Sequence, residues 1–234
     1  MLYGRFDFAY DDQDIKMLEY NADTPTGLLE ASVAQWHWIE QVENIPNRDQ
    51  FNSIHEALIE RWTQLYPRKT TVHFAACQDA GREDWGNLEY LMDTAFQAGL
   101  SVSELSMENI GWDGQHFVDL HLQQIQHLFK LYPWEWVWEE SFAAFLQPQT
   151  EWIEPCWKML LSNKAILIEL WKRYPNHPLL LETHAYDPQQ HYAGKWVRKP
   201  ILAREGANIH ILQNNVDCGE ALGSFYFKDY DKYG

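Results

Sequence analysis

Hydrophobic and polar side chains alternate along the start of the chain. The alternation predicts one strand from Leu2 to Ala9 and a second from Ile15 to Asn21. Between them lies the turn-forming run Asp11-Asp12-Gln13-Asp14. Two alternating runs joined by a short polar turn are typical of a β-hairpin, so we predict that the chain opens with one.

The apolar spacing then changes to the three-to-four-residue period of a helix. We predict one helix from Pro25 to about Val42, because Pro25 follows polar residues that suit a helix N-terminus. A second helix is predicted from Phe51 to Tyr66, where Pro67 ends it. Both helices keep an apolar stripe and are therefore expected to pack on a core.

An alternation of strand and helix follows. The apolar, β-branched run from Thr71 to Cys77 predicts a buried strand, Asp84 to Gln97 a helix, and Leu100 to Leu105 another strand. The order strand, helix, strand is the signature of a parallel sheet. Mixed α/β architecture is thus the predicted fold class.

The second half of the chain has a more mixed pattern. Residues Leu120 to Leu146 are predicted to be mostly helical with a break at Pro133, and Asn163 to Tyr174 to be a helix. Two short strands are predicted at Lys195 to Pro200 and at Asn208 to Leu212.

The composition and charge of the chain exclude some classes of binding partner. The chain has 234 residues, with 18 Lys and Arg against 34 Asp and Glu, which gives a net charge of −16. So acidic a surface repels phosphate backbones, and the cations are scattered, so nucleic acid is not an expected partner. No apolar run is long enough to span a membrane, and a secretory leader is not recognisable, so we expect a cytoplasmic protein that does not bind membranes.

The predicted opening hairpin carries the most informative chemistry. If its turn centres on Gln13, Asp7 lies opposite Glu19 and Arg5 opposite Asn21, on one face. Opposed carboxylates repel, which suggests a bound cation, and oxygen donors of this kind suit Mg²⁺. Arg5 could then neutralise a phosphoryl oxygen. The alternative is a solvated hairpin face with a simple Arg–Asp pair.

The sequence positions of two lysines suggest that an anion binds near them. Lys199 ends a predicted strand, and the small residues of the loop from Ala203 to Asn208 would let backbone N–H groups approach a phosphate. Lys164 stands at the start of a helix, where a nearby anion would be favourable. The alternatives are a plain hairpin turn, which explains the loop more simply, and Asn163 as a helix cap at the second position.

An acidic loop follows the first buried strand. Residues Asp79 to Asp84 lie at the carboxyl end of that strand, where ligands of open α/β sheets bind, so the loop could receive an amine. Alternatively, Asp84 only caps the following helix.

Taken together, several short motifs resemble the glutathionylspermidine synthase family, in its ATP-grasp synthetase domain. They occur in the family's order across nearly the whole chain: Arg5-Phe6-Asp7, Leu18 to Thr26, Leu131-Tyr132-Pro133-Trp134-Glu135, Ser162-Asn163-Lys164, Arg198-Lys199-Pro200 and Arg204 to Asn208.

The resemblance implies an ATP-grasp-like α+β or α/β fold. A pre-ATP-grasp α/β region with the hairpin would occupy residues 1–150, and a partial ATP-grasp nucleotide-binding region residues 151–234. It also implies that the chain is short at both ends, with an incomplete C-terminal part, and has no amidase domain.

The implied activity is that of a carbon–nitrogen ligase. ATP and two Mg²⁺ ions would serve to join a glutathione-like carboxylate to an amine of a polyamine such as spermidine, through an acyl phosphate. Two alternatives stay open: a non-catalytic relative that binds a nucleotide or polyamine, and a protein-interaction scaffold.

The resemblance also implies roles for single residues. Arg5 would stabilise the transition state, with Asp7, Glu19 and Asn21 as Mg²⁺ ligands and Thr24, Thr26 and Glu83 at the substrate. The implied ATP contacts are Arg5, Phe6, Asp7, Lys164, Lys199, Arg204 and Gly206.

Overall fold

The computed structural model describes residues 1–79, 81–146, 149–203 and 207–220. Its chain forms two compact units, each made of two stretches: Met1–Arg5 with Ala22–Met159, and Phe6–Asn21 with Leu160–Gly234. The boundary near residue 160 lies close to the predicted one at 150, but the opening hairpin groups with the second unit and not with the first. Whether the units are pre-ATP-grasp and ATP-grasp parts stays a prediction.

The described residues contain eleven strands and six α-helices. In chain order the strands are β1 (Arg5–Tyr10), β2 (Ile15–Asn21), β3 (Thr71–Ala76), β4 (Ser101–Ser106), β5 (Gly111–Trp112), β6 (Phe117–Val118), β7 (His127–Leu131), β8 (Glu151–Ile153), β9 (Lys195–Arg198), β10 (His210–Gln213) and β11 (Val216–Glu220). The α-helices are α1 (Gln35–Gln41), α2 (Ile54–Leu65), α3 (Arg82–Gln97), α4 (Trp134–Val137), α5 (Lys158–Ser162) and α6 (Ala165–Arg173). A π-helical turn, Glu30–Ala34, leads into α1.

A four-stranded parallel sheet, in the order β4-β3-β7-β8, is the centre of the first unit. Thr71 pairs with Ser101, His73 with Leu128, and the outer strand β8 pairs with β7. Residues Val72 to Ala76 of β3 are all buried, as expected for a strand covered on both faces. The mixed α/β fold with a parallel sheet, predicted from the order of β3, α3 and β4, is confirmed.

The core of the first unit lies where α2 and α3 pack on the sheet. Trp62 of α2 is fully buried, and its indole N–H donates to the Thr94 hydroxyl of α3 over 3.1 Å. A second apolar cluster includes Phe117, Ile125 and Leu128. The main cluster includes Leu58, Trp62, Phe74, Leu88, Leu91 and Phe129.

The helical prediction for residues 120–146 is wrong. This stretch contains strand β7, then only the single helical turn α4 and a 3₁₀ turn at Ser141–Phe145. Residues Leu128 to Leu131 of β7 are all buried, so both faces of the strand are covered and the period of two that marks a half-buried strand is absent. Lys130, which is 0% exposed, interrupts the apolar run further.

The first strand and the first helix both begin later than predicted. Strand β1 starts at Arg5, because the N–H groups of Leu2 and Tyr3 donate to the side chain of Glu154 instead of to a strand. Regular helical structure starts at Leu28, whose N–H donates to Asn87 Oδ1 over 3.0 Å. Side chains distant in sequence therefore set both starting points.

The second unit contains the predicted hairpin, β1 with β2, and an antiparallel sheet in the order β11-β10-β9. Strands β9 and β10 match the two predicted strands, whereas β11 was not predicted. Asn214 and Asn215, between β10 and β11, have φ of 50° and 67°. Two consecutive residues in the left-handed region are typical of a tight hairpin turn, so this Asn-Asn pair was the available signal.

The longest helix among the described residues, α3, has 16 residues. None of the described helices has the length and hydropathy needed to cross a lipid bilayer.

Candidate active site

The opening hairpin brings together the three side chains that were predicted to bind metal. Asp7 lies on β1, and Glu19 and Asn21 lie two residues apart on β2 and so project from the same face. The Asn21 side-chain amide donates to Asp7 Oδ2 over 3.3 Å and to Glu19 Oε1 over 3.2 Å. One amide therefore connects two carboxylates that would otherwise repel.

Lys164 joins this cluster from the start of α6. Its Nζ lies 3.1 Å from Glu19 Oε2 and donates to the Ala203 carbonyl over 2.7 Å. The N-cap of α6 is Lys164, so the alternative role of Asn163 as the cap is wrong. Asn163 Oδ1 instead accepts from the Ala165 N–H over 2.8 Å, a local bond that spans Lys164.

Lys199 follows β9 and lies within electrostatic range of the same groups. Partial burial lowers the pKa of its ammonium, and the positive charge of Lys164 lowers that pKa further, whereas Glu19 and Asp7 act in the opposite direction. Within the described residues, Lys199 forms no hydrogen bond or ion pair. Two lysines and two carboxylates thus share one region of the second unit, which we call the hairpin site: Asp7, Glu19, Asn21, Lys164 and Lys199.

The donor atoms of the hairpin site suit a hard cation. No group of three His, Cys, Asp or Glu side chains able to hold a metal ion occurs in the described part of the chain. The hairpin site instead offers two carboxylates and one amide, and the remaining ligands of Mg²⁺ are usually waters and phosphate oxygens. Asp7, Glu19 and Asn21 therefore fit such an ion, with Lys164 already compensating part of their charge.

An aromatic stack lies on the opposite face of the hairpin, because Phe6 follows Arg5 and precedes Asp7 on β1 and Tyr20 lies between Glu19 and Asn21 on β2. The rings of Phe6 and Tyr20 lie 4.0 Å apart between centroids, with 13° between their planes. Phe6 is half exposed, so one side of the stack faces solvent. Such a surface can pack a planar group, which is compatible with the nucleotide contact that was predicted for Phe6.

Arg5 belongs to the first unit, where it contacts the predicted substrate segment. Its Nη1 donates to the Thr26 carbonyl over 3.1 Å and to Thr26 Oγ1 over 3.2 Å. Gly27 has φ of +83°, and a Cβ there would lie 3.8 Å from Arg5 Nη1. The backbone conformation thus favours glycine at this position, whereas the distance to the guanidinium would be an ordinary van der Waals contact.

Glu83 is connected to the same segment through a residue that the sequence did not single out. Asn87 is buried in α3, donates to the Glu83 carbonyl over 2.8 Å and accepts from the Leu28 N–H. The first unit therefore brings Arg5, Thr26 and Glu83 to one region. Asp84 lies in the first turn of α3, whose cap is Gly81, so the alternative role of Asp84 as the cap is wrong.

The three remaining predicted site residues are Thr24, Arg204 and Gly206. Thr24 lies in the segment between β2 and the helix, beside the buried Asp23. Arg204 and Gly206, the predicted contacts in the anion-binding loop, lie outside the described residues. Phe6 and the hairpin site are in the second unit, whereas Arg5, Thr24, Thr26 and Glu83 are in the first.

The sequence patterns did not predict two buried pairs of oppositely charged side chains. Lys130 Nζ lies 2.8 Å from Asp23 Oδ1, and Asp23 Oδ2 accepts from the Trp134 N–H over 2.7 Å. A second pair, Glu154 and Lys158, is equally buried. Only a charged residue inside an apolar run, such as Lys130 in β7, signals such a pair in a sequence.

Comparison with known proteins adds independent information. A model of the family described as glutathionylspermidine synthase, pre-ATP-grasp, matches residues 1–231. A putative acid–amine ligase of Haemophilus influenzae is 53% identical over 92% of this chain and 56% of its own length. The bifunctional glutathionylspermidine synthetase/amidase of Escherichia coli is 26% identical over 93% of this chain and 39% of its own length. Trypanothione synthetase of Crithidia fasciculata is 27% identical over 97% and 39%, so the chain spans about half or less of these relatives.

Proposed function

The chain belongs to the glutathionylspermidine synthase family, and from this premise we propose that it takes part in ATP-dependent ligation of a carboxylate to an amine. The observation that carries the proposal is the hairpin site, where two carboxylates, an amide and two lysines converge. Phosphoryl transfer depends on positioned cations around a phosphate, and this set of side chains can provide them.

In the proposed reaction, a carboxylate oxygen of the acid substrate attacks the γ-phosphorus of ATP. ADP leaves with the electron pair of the broken bond, and an acyl phosphate forms. The neutral amine then attacks the acyl carbon, phosphate leaves, and the nitrogen loses a proton. We propose a glutathione-like peptide and a polyamine or related amine as substrates, since relatives carry names that include glutathionylspermidine and trypanothione synthesis.

The residues of the hairpin site have two proposed tasks. Lys164 and Lys199 bind the phosphates of ATP, and Lys164 exchanges its contact with Glu19 for a phosphate oxygen. Asp7, Glu19 and Asn21 hold Mg²⁺, of which we propose two ions. When bound, the metal neutralises the phosphate oxygens and fixes their orientation. Arg204 and Gly206, predicted to contact ATP beside them, remain part of the proposal.

The side chains of the first unit have complementary roles. We propose that Arg5 directs its guanidinium at the transferred phosphoryl group, and that Thr24, Thr26 and Glu83 contact substrate. Thr26 holds Nη1 of Arg5 through its carbonyl and its hydroxyl, which fixes the orientation of the guanidinium. Phe6 is proposed to pack against the nucleotide. A cytoplasmic location, where ATP is plentiful, fits this activity.

Phosphate release tests the proposal directly. The purified chain is incubated with Mg²⁺ and ATP, glutathione and spermidine, and phosphate and ADP are measured against reactions that lack the acid or the amine. We expect release that depends on both substrates. If no release occurs with a panel of carboxylates and amines while calorimetry detects ATP binding, the chain binds nucleotide without ligase activity. The absence of both would refute the proposal.

Replacing Lys199 by Met should separate ligand binding from stability. Because the folded protein lowers the pKa of Lys199, the unfolded chain binds more protons, and the wild-type protein gains stability as pH rises through the interval below the ordinary lysine pKa. We therefore expect K199M to be no less stable than wild type at neutral pH, with a stability difference that diminishes towards alkaline pH. Thermal unfolding at several pH values measures this.

The same variant should bind ATP about tenfold more weakly or worse, since a half-buried cation beside phosphate is lost. Lys195→Met is the matched control, because Lys195 is exposed at the start of β9, the strand that Lys199 follows, and this variant should bind ATP as wild type does. Equal affinity of K199M and K195M for ATP in calorimetric titration would remove Lys199 from the site.

A further inference from the structure

An ion pair is buried behind the N-terminal segment of the first unit. Lys158 Nζ lies 2.9 Å from Glu154 Oε2, and the two side chains are 1% and 0% exposed. Burial of two charges is costly, and an apolar pair of similar volume is often as stable or more stable. Stability alone therefore does not account for this pair, and its other contacts indicate what it does.

These contacts are all to the backbone that precedes Arg5. Glu154 Oε1 accepts from the N–H of Leu2 over 2.7 Å and from the N–H of Tyr3 over 2.9 Å. Lys158 Nζ donates to the Tyr3 carbonyl. The pair thus satisfies three backbone groups of two consecutive residues, Leu2 and Tyr3, and Tyr3 lies two residues before the arginine proposed to meet phosphate.

Two further bonds fix the other side of this segment. The Tyr3 hydroxyl donates to the Pro25 carbonyl over 2.6 Å, and the Arg5 guanidinium donates to Thr26. Residues 2–5 are therefore held between Glu154 with Lys158 on one side and residues 25 and 26 on the other. A shift of the backbone at Tyr3 would move Arg5 against Thr26.

The other buried pair supports the same arrangement. Trp134 donates its backbone N–H to Asp23 and its indole N–H to the Glu154 carbonyl over 2.9 Å. Lys130, the partner of Asp23, lies 4.5 Å from the centre of the Trp134 ring. Trp134 thus connects Glu154 to the segment that contains Thr24 and Thr26.

We propose that Glu154 and Lys158 are positioning residues, which set the location of the Arg5 guanidinium through the backbone of Leu2 and Tyr3. The inference rests on the proposed role of Arg5 in phosphoryl transfer. It assigns to the buried pair an effect on turnover that is larger than its effect on folding.

The first test is structural and needs no activity. Amide hydrogen exchange of the wild-type chain, followed by NMR, should show the N–H groups of Leu2 and Tyr3 protected, as only bonded amides are. In Glu154→Leu/Lys158→Met, which replaces the charges by apolar side chains, we expect about tenfold or greater loss of protection at Leu2 and Tyr3. Unprotected amides in wild type would overturn the inference.

The second test is a double-mutant cycle on the phosphate-release rate. E154L/K158M should lower kcat by about tenfold or more and change the KM for ATP by less than about threefold, because Arg5 acts on the transition state. In an Arg5→Ala background the same pair of changes should cost nothing further. If E154L/K158M and Arg5→Ala instead lower kcat by independent factors that multiply, the buried pair does not act through Arg5.

Tyr3→Phe provides a second route if E154L/K158M does not fold. It removes only the hydroxyl bonded to Pro25 and should give a smaller loss of kcat that also disappears in the Arg5→Ala background; a loss that persists there contradicts the inference.

Glu169→Gln/Lys172→Met, an exposed pair with a 2.9 Å contact, is the control and should leave kcat unchanged. If wild type releases no phosphate, the proposed function fails, and the exchange experiment still decides whether the pair holds the segment.

Discussion

Replacing Glu19 by Gln is expected to lower the rate of phosphate release by about a hundredfold or more, the scale that loss of one transition-state charge contact typically has. The amide keeps the shape of the side chain but removes a negative charge that we propose binds Mg²⁺. It also weakens the 3.1 Å contact to Lys164 Nζ. Steady-state phosphate release over a range of Mg²⁺ concentrations measures the effect, and added Mg²⁺ should restore part of the rate.

Stability should change little in the same variant. Both Glu19 and Lys164 are partly exposed, and ion pairs of that kind contribute at most about 1 kcal/mol. Glu169→Gln is the matched control, because Glu169 also pairs with a lysine, Lys172, but on the exposed face of α6. A rate for E19Q equal to that of E169Q would exclude Glu19 from the metal site.

Arg5→Lys is expected to reduce kcat by a similar factor, about a hundredfold, although the charge is retained. The planar guanidinium donates to Thr26 through Nη1 and presents its donors in a fixed fork, whereas an ammonium is a compact point charge. Lysine therefore cannot reproduce the contact to Thr26 and the proposed contact to phosphate in the same geometry. The measurement is kcat and KM for ATP, with the larger change expected in kcat.

Arg173→Lys serves as the control, since Arg173 is exposed at the end of α6. Its turnover should equal that of the wild-type chain. If R5K retains near-wild-type turnover while E19Q is inactive, Arg5 only holds the Thr26 segment, and the phosphate contact must come from another cation such as Lys164 or Lys199.

The elements that were predicted correctly are those whose own hydrophobic pattern matches the structure that they form. The hairpin of β1 and β2 follows from alternation around a polar turn, and β3, α3 and β4 follow from the change between periods of two and three to four. Of the three predicted metal residues, Glu19 and Asn21 share a face because they are two positions apart on one strand. The proximity of Asp7 depends only on closure of the hairpin.

The features that the sequence did not predict depend on interactions between residues that are distant in sequence. Strand β7 was predicted as helix because a strand buried on both faces has no apolar alternation, and only its pairing in the sheet identifies it. Lys130 is tolerated in that strand because Asp23, 107 residues earlier, neutralises it. Likewise, the late start of β1 follows from Glu154, and no property of residues 2–4 indicates such a partner.

The bond from Leu2 to Glu154 spans 152 residues and has a consequence for synthesis of the chain. While a ribosome makes the protein, the N-terminal segment emerges first, but its partners are not available until Lys158 has left the exit tunnel. At about 5–20 residues per second, that interval is roughly 8–30 seconds. During this time the backbone groups of Leu2 and Tyr3 are without their final partners, so we expect the segment before Arg5 to reach its final position only late in synthesis.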